Sequence, residues 1–288
     1  MVGKGANEIV DYFLCFASIR CTDMPSARSP QASQRLTLKT SSDEPYRIAL
    51  SSLQTGLTVT AEPNSVNMLF VSGTSMASRF AMTVELKPRA ALTVVFVCTA
   101  KKPTHIEQWA TVKAGAKLHL INVTLVSCRH EVVSEVMGAR SESRIDWIVH
   151  ATGRMECVLS AKNLFRARDG RGDLTIRGVA EDHAKIVCNG DVSIGPKAAG
   201  TQAHLVEKIL VLDPTARADA IPSLDVQTHD VQASHSASVS RIHPEDLFYF
   251  ASRGITAKKA RKLVIDGFLR DALAAIPAGA CRALVERI

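Results

Sequence analysis

The chain has 288 residues, 46% apolar and 22% charged, a globular composition that excludes wholesale disorder. Lys and Arg number 35 against 28 Asp and Glu, a formal net charge of +7. That charge is spread out, and aromatics make up only 5% of the chain, so nucleic acid is not an expected partner. The longest apolar run, Ala90–Ala100, falls far short of the ~20 residues of a membrane-spanning helix, so no membrane association is expected either.

Residues 1–35 read as an N-terminal appendage. A short helix is expected over Asn7–Ala17, and the Ser-, Pro- and Gln-rich stretch Pro25–Gln34 reads as a linker. Ile9–Ile19 is apolar, but Asp11 interrupts it and no basic segment precedes it, so a signal peptide is not expected and the protein is expected in the cytoplasm. The seven cysteines, at 15, 21, 98, 128, 157, 188 and 281, form no Cys-x-x-Cys pair and no zinc-type spacing. They suit reduced thiols, most of them small buried hydrophobes.

Residues 36–241 are dominated by a period of two, as in Leu57-Thr-Val59-Thr-Ala61 and Leu92-Thr-Val94-Val-Phe96. That period places alternate side chains on opposite faces of a strand. A loose repeat starts at Ala90, Ala116, Ser143, Ala184 and Ala218, with steps of 26, 27, 41 and 34 residues. Such steps suit coils of a solenoid with loop insertions, in which only stacking buries the inward face. A Greek-key sandwich is the alternative, but it favours two-residue hairpin loops. Asn-Gly and Asp-Gly pairs occur only at 169–170, 189–190 and 266–267. A parallel β-helix is therefore the preferred all-β reading.

Residues 242–288 switch to a helical code. Pro244 suits a first turn, Glu245 and Asp246 complement the positive end of the helix dipole, and Gly254 fits a stop. Thr256 is placed to cap a second helix with an apolar stripe of Ala260, Leu263, Val264, Gly267 and Phe268. Lys258, Lys259, Arg261 and Lys262 lie off that stripe; Pro277 ends it, and Ala280–Ile288 suits a last short helix.

The sequence contains no phosphate-binding P-loop, nucleophile elbow or His-Glu-x-x-His helix. Asp169 and Asp173 are the nearest approach to a carboxylate pair, and the glycine-rich run around them reads as a flexible polar loop. Arg171-Gly-Asp173 and Asn122-Val-Thr124 have the letters of an adhesion tripeptide and a glycosylation sequon, both read as accidental. His229 and His235 are separated by an even number, so on an unbroken strand they share a face; His243 follows.

The stretch Ile221–Phe268 contains, in order, Asp230-Val231, Ser234-His235, Ala237, Val239, Leu247-Phe248-Tyr249, Ser252-Arg253-Gly254-Ile255, Ala260 and Gly267-Phe268. This ordered set resembles the SufB/SufD family of iron–sulfur cluster assembly scaffolds. The resemblance implies a right-handed parallel β-helix with a C-terminal helical segment, a transient iron–sulfur cluster and no enzymatic role. It further implies a SufC-like ABC ATPase bound through the C-terminal helices, and a homodimer or SufB-like heterodimer formed through the β-helix. His235 becomes a candidate metal or cluster ligand, with Cys188 the candidate thiol by repeat phase, although that phase points it inward. Leu247, Phe248, Tyr249, Arg253, Gly254, Lys258 and Lys262 are the candidate ATPase contacts. Ser236, Ser240 and Ala233 depart from the usual residues, and Lys208–Leu212 lacks the Cys of SufB members. These departures favour a SufD-like or minimal member. A polysaccharide-acting β-helix enzyme and a purely structural subunit of the assembly complex are the alternatives.

Overall fold

The structure, a computed structural model, describes residues 33–42, 44–50, 55–73, 76–99, 103–242, 244–274 and 276. The helix expected over Asn7–Ala17, most of the expected linker, the last helix over Ala280–Ile288, His243 and Cys15, Cys21 and Cys281 lie outside these residues. Ser33 and Gln34, read as the end of the linker, already belong to the first strand.

The described strands are β1 (Ser33–Leu38), β2 (Tyr46–Ala49), β3 (Gly56–Ala61), β4 (Val66–Gly73), β5 (Arg79–Leu86), β6 (Ala91–Cys98), β7 (Thr104–Val112) and β8 (Lys117–Thr124). They continue with β9 (Cys128–Val136), β10 (Glu142–Ala151), β11 (Glu156–Phe165), β12 (Arg171–Ala180), β13 (Lys185–Ile194), β14 (Thr201–Val211), β15 (Arg217–Ala220), β16 (Ser223–Val226) and β17 (Val231–Arg241). Two helices follow, α1 (Pro244–Ser252) and α2 (Ala257–Ala274). Odd-numbered strands up to β15 form one sheet, with β16 also paired to β13; the even-numbered strands up to β14, with β17, form the other. Neighbours within each sheet are parallel and in register, for instance Cys128 beside Cys157 and Leu205 beside His235. The chain is thus a β-solenoid, a parallel β-helix of about seven turns in which each coil contributes one strand to each sheet.

One corner has a common geometry in six successive coils. Asn64, Arg89, Gly115, Arg140, Asp169 and Gly200 all have left-handed backbone, with φ between 56° and 78°. Each sends its N–H to the coil after it: Arg89 to Ala114 O at 2.9 Å, Gly115 to Ala139 O at 3.0 Å, Asp169 to Ala199 O at 2.8 Å and Gly200 to Asp230 O at 2.7 Å. A left-handed arginine costs ~1–2 kcal/mol, and the column keeps two of them because each aligned corner satisfies its neighbour's donor. Members of the column are 25 to 31 residues apart, which is the true coil length.

The repeat read from the sequence mixes the two sheets. Ala90, Ala116 and Ser143 belong to the sheet of β6, β8 and β10, but Ala184 and Ala218 belong to that of β13 and β15. Both corners need small buried residues, so a small residue ahead of an alternating run does not say which sheet follows. Asn189-Gly190 is also not a turn, since both residues lie inside β13.

The core lies between the sheets and includes the fully buried Phe80, Phe96, Trp147 and Phe165. A second apolar layer covers part of the outer face of the even-numbered sheet. There Ile148, Val179, Leu210 and Leu212 pack with Ile265, Leu269, Ala272 and Ile276. The N-terminus of α2 is capped as expected, with Thr256 Oγ1 accepting from Lys259 N–H at 3.4 Å. Its buried face is displaced from the expected stripe, because Leu263 is 45% exposed while Ile265 and Leu269 are buried. The helix is oriented partly by two arginines. Arg177 Nη1 donates to Phe268 O at 3.0 Å, and Arg261 bonds Leu212 O and Asp213.

Arg171-Gly-Asp173 is not a flexible loop but opens β12. A Cβ on Gly172 would come within 2.6 Å of Ser143 O and 2.7 Å of the Phe165 ring. Gly172→Ala is therefore expected to destabilise the protein by ~1–3 kcal/mol in urea titrations, through overpacking against backbone. Gly153→Ala meets no atom within 4 Å and should cost only the strain of its φ of +63°, ~1 kcal/mol. Equal losses for the two variants would contradict this packing.

Candidate functional site at the open end of the solenoid

Period two and register fix the side-chain directions in the last coil. On β14, Ala203, Leu205, Glu207 and Ile209 face the core and are buried. Their neighbours on β17 are Ala233, His235, Ala237 and Val239, so these residues have the same inward phase. Beyond β17 no further strand pairs among the described residues. His235 therefore sits on the inward side of the last strand and is still exposed. Outward from it, His204 Nδ1 and Ser234 Oγ are 2.8 Å apart. His229 does not join His235, because it lies in a bend ahead of β17 and the shared-face reading assumed one unbroken strand.

Cys188 lies on β13 in the opposite sheet, in register with Ala220 of β15. It is fully buried, and burial together with the nearby Glu207 charge holds its thiol well above the usual range. Glu207 is the site residue that sequence reasoning missed. It is 0% exposed, and neither carboxylate oxygen has a hydrogen-bond partner of full geometry among the described residues. Burial pushes its carboxyl up to about 7, an effect that the Gly190 and Ile221 backbone N–H groups only partly offset. Gly190 makes room for it, since a Cβ there would lie 2.7 Å from Glu207 Oε1. The available signal was one acidic residue on an inward phase, Ala203-x-Leu205-x-Glu207-x-Ile209.

The end of the solenoid thus contains a thiol, a carboxyl poised near neutrality and an imidazole, a mixed soft and hard donor set. Among the described residues no group of three His, Cys, Asp or Glu is arranged to hold a metal ion. The Asp169–Asp173 pair shares no element: Asp169 occupies a corner turn beside Arg168, and Asp173 lies on β12. Asn122 and Thr124 of the sequon lookalike are buried on β8.

The candidate partner contacts gather on the helices. Phe248 is 75% and Tyr249 57% exposed on α1, with the Arg253 guanidinium 5.0 Å above the Tyr249 ring. Leu247 is half-buried, and Gly254 closes α1 in left-handed geometry, with φ +74°. Lys258 and Lys262, one turn apart on α2, border an open groove of about 470 Å³ between that helix and the even-numbered sheet. His150 and Glu181, 2.6 Å apart, line its other side. No described helix is long and apolar enough to cross a membrane.

The family described as SUF system FeS cluster assembly, SufBD core domain, matches residues 49–268, well over half of the chain. The chain belongs to the SufBD family. Among its curated SufBD relatives, the iron–sulfur cluster assembly protein SufD of Bacillus subtilis is 39% identical over 106 residues, which are 37% of this chain and 24% of that protein. A SufBD family protein of Mycobacterium tuberculosis is 43% identical over 94 residues, covering 32% of this chain and 24% of the relative. One from Staphylococcus saprophyticus is 30% identical over 117 residues, 41% of this chain and 25% of the relative. The matched segments thus span about a quarter of the length of these SufBD proteins.

Two buried groups of this SufBD chain give opposite pH slopes. Unfolded Glu207 titrates near 4.5 and folded Glu207 near 7, so between these values the folded state binds the extra proton and stability falls as pH rises. His130 is fully buried between the Phe96 and Trp147 rings, at 5.6 and 4.4 Å, and burial lowers its pKa from 6.5 to about 3. The unfolded state then binds the extra proton from pH 6.5 down to 3, and stability is lost as pH falls through that window. The two slopes oppose each other between pH 4.5 and 6.5. Glu207→Gln should raise stability at pH 8 by up to ~3 kcal/mol, at ~1.4 kcal/mol per pKa unit. The same variant should show a denaturation midpoint that climbs with pH from 4.5 to 6.5. A midpoint that falls over that range would refute the opposed pair.

Proposed function

We propose that this chain is a cytoplasmic, non-catalytic subunit of a SUF-type system, on which an iron–sulfur cluster is assembled with a SufC-like ABC ATPase and then passed on. The family match across residues 49–268 supports the cluster-assembly role. The observation that carries the ATPase partnership is the outward display of Phe248 and Tyr249, two large rings that a self-contained helix pair has no reason to expose. Had these residues merely capped the solenoid, Phe248 would be covered.

Docking on the helices gives nucleotide-driven motion a lever on the coil end. The cluster passes through that end as cargo, with His235 as its exposed imidazole and Cys188 and Glu207 behind it. The strand β17, eleven residues long, and the exposed Ile221, Val226 and Val239 form the dimer surface. A second copy, or a SufB-like partner, then completes the ligand set across the two-fold axis.

Co-expression with a SufC-type ATPase should yield a stable complex. Phe248→Ala or Tyr249→Ala should weaken it about thirtyfold, the equivalent of ~2 kcal/mol, at unchanged melting temperature. Arg253→Glu should weaken it as well. Unaltered affinity in all three variants would remove the helix pair as the dock.

His235→Ala should leave the fold intact, since the side chain supports no buried contact, and should lower the yield of cluster in anaerobic iron–sulfide reconstitution of the complex, read by absorbance and Mössbauer spectra. A folded variant with the wild-type yield would leave His235 without a ligand role.

A further inference from the structure

Four described cysteines are buried, and two of them stand side by side. Cys128 opens β9 and Cys157 is the second residue of β11. The two strands are parallel neighbours with Cys128 and Cys157 in register, and both side chains face the core. Neighbouring strands run ~4.7–4.9 Å apart, within the ~4.4–6.8 Å Cα separation that a disulfide bridges. Here the position at the strand starts matters. At mid-strand the ladder holds both backbones on either side, but at these first rungs it continues in one direction only, and turn contacts of the corner hold the other.

Those contacts converge on the pair. The Cys157 thiol donates to Val126 O at 3.3 Å, in the corner just before Cys128, and Glu156 N–H donates to Ser127 Oγ at 3.2 Å. Interaction between the two neighbouring thiols raises the Cys128 thiol and lowers that of Cys157, so Cys157 is the sulfur that ionises first. Cys128 retains a 5% exposed edge, and Val126 and Ser127 beside it are half-buried, which leaves a path for a very small oxidant when the corner opens locally.

We propose that Cys128 and Cys157 are a peroxide-oxidisable thiol pair that closes a disulfide between two neighbouring coils of the solenoid. The Cys157 thiolate attacks one oxygen of hydrogen peroxide; an S–O bond forms, the O–O bond breaks, and hydroxide leaves to become water with a proton from the solvent. Cys157 is then a sulfenic acid. The Cys128 sulfur attacks it, an S–S bond forms, the S–O bond breaks, and the departing hydroxide takes the Cys128 proton as a second water. Two thiols lose two electrons in all, and one peroxide is reduced to two waters. The bond ties β9 to β11 through two cysteines 29 positions apart in the chain, which restricts separation of the coils at that corner.

The test uses the full chain, reduced, desalted and treated with a few equivalents of hydrogen peroxide, then digested without reductant and read by mass spectrometry. The expected product is a linked pair of peptides containing Cys128 and Cys157, lighter by two hydrogens and released by reductant. Cys98→Ser, which removes the thiol beside Cys128, should leave that link intact. Cys128→Ser should stop the reaction at a Cys157 sulfenic acid trapped by dimedone. A folded wild-type chain that retains both thiols under peroxide while its urea-unfolded form oxidises would overturn the proposal. A link from Cys98 to Cys128 instead would overturn it equally, and neither result depends on whether any variant folds.

Discussion

The fold rests on one hydrogen bond repeated down a corner, from a left-handed residue in one coil to a carbonyl in the next. It sets the axial step, and the step sets the register. Once coils are in register, like positions stack on like positions for the length of the solenoid. Buried columns, the opposed sheets and the neighbouring thiols of β9 and β11 are all consequences of that alignment. The column also explains why residues as different as Asn64, Arg89 and Asp169 share one backbone state: the stack, rather than the residue, selects the conformation. Where side chain and conformation agree, as at Gly115 and Gly200, nothing is strained.

Stacking has an unavoidable consequence at its end. Each coil is covered by the next, so the last coil must leave its inward positions open. His235 has a core-facing phase and is exposed for that reason alone, and Val239 shares its fate. A solenoid end is therefore a place where residues of inward phase become available to a partner without any special loop. The helices leave this end uncovered, because the described core of α2 packs on the outer face of the even-numbered sheet. Their arrangement divides the chain end into two surfaces: a strand edge suited to strand pairing, and a helix pair suited to a groove.

Much of this was legible in the sequence. Period two over residues 36–241 is enough to call for strands, and the scarcity of hairpin dipeptides argues for coils over a sandwich. The helix caps at Pro244 and Thr256 were readable because capping is local chemistry. Two things were not legible, for one reason. The division of the repeat between two sheets and the role of Glu207 both depend on which residues meet across the core, and alternation records only which side of its own strand a residue faces. Leu263 failed differently: it lies at the edge of a wide apolar arc, and the sheet beneath, not the helix pattern, decides which part of the arc is covered. His229 and His235 show the limit of parity arguments, since one bend between them cancels the even spacing.

The interior is more polar than a solenoid core needs to be. Gln108, Asn122 and His130 are buried between the sheets without hydrogen-bond partners among the described residues. Nearby groups are satisfied, such as Trp147 Nε1 donating to Thr124 Oγ1 at 3.1 Å and the Ser134–Ser143 hydroxyl pair at 2.7 Å. An unsatisfied buried polar group costs ~1–3 kcal/mol, a load a small globular core would register as marginal stability. A stacked array tolerates it more easily, because a weak coil is held by the interfaces on either side of it. His130 illustrates the balance: the cost of burying an imidazole is set against ring contacts with Phe96 and Trp147 that only the stacked coils can supply. Polar character can thus be carried through the middle of the solenoid as far as Glu207 at its end, where the same cost brings a carboxyl to the edge of ionisation beside a thiol.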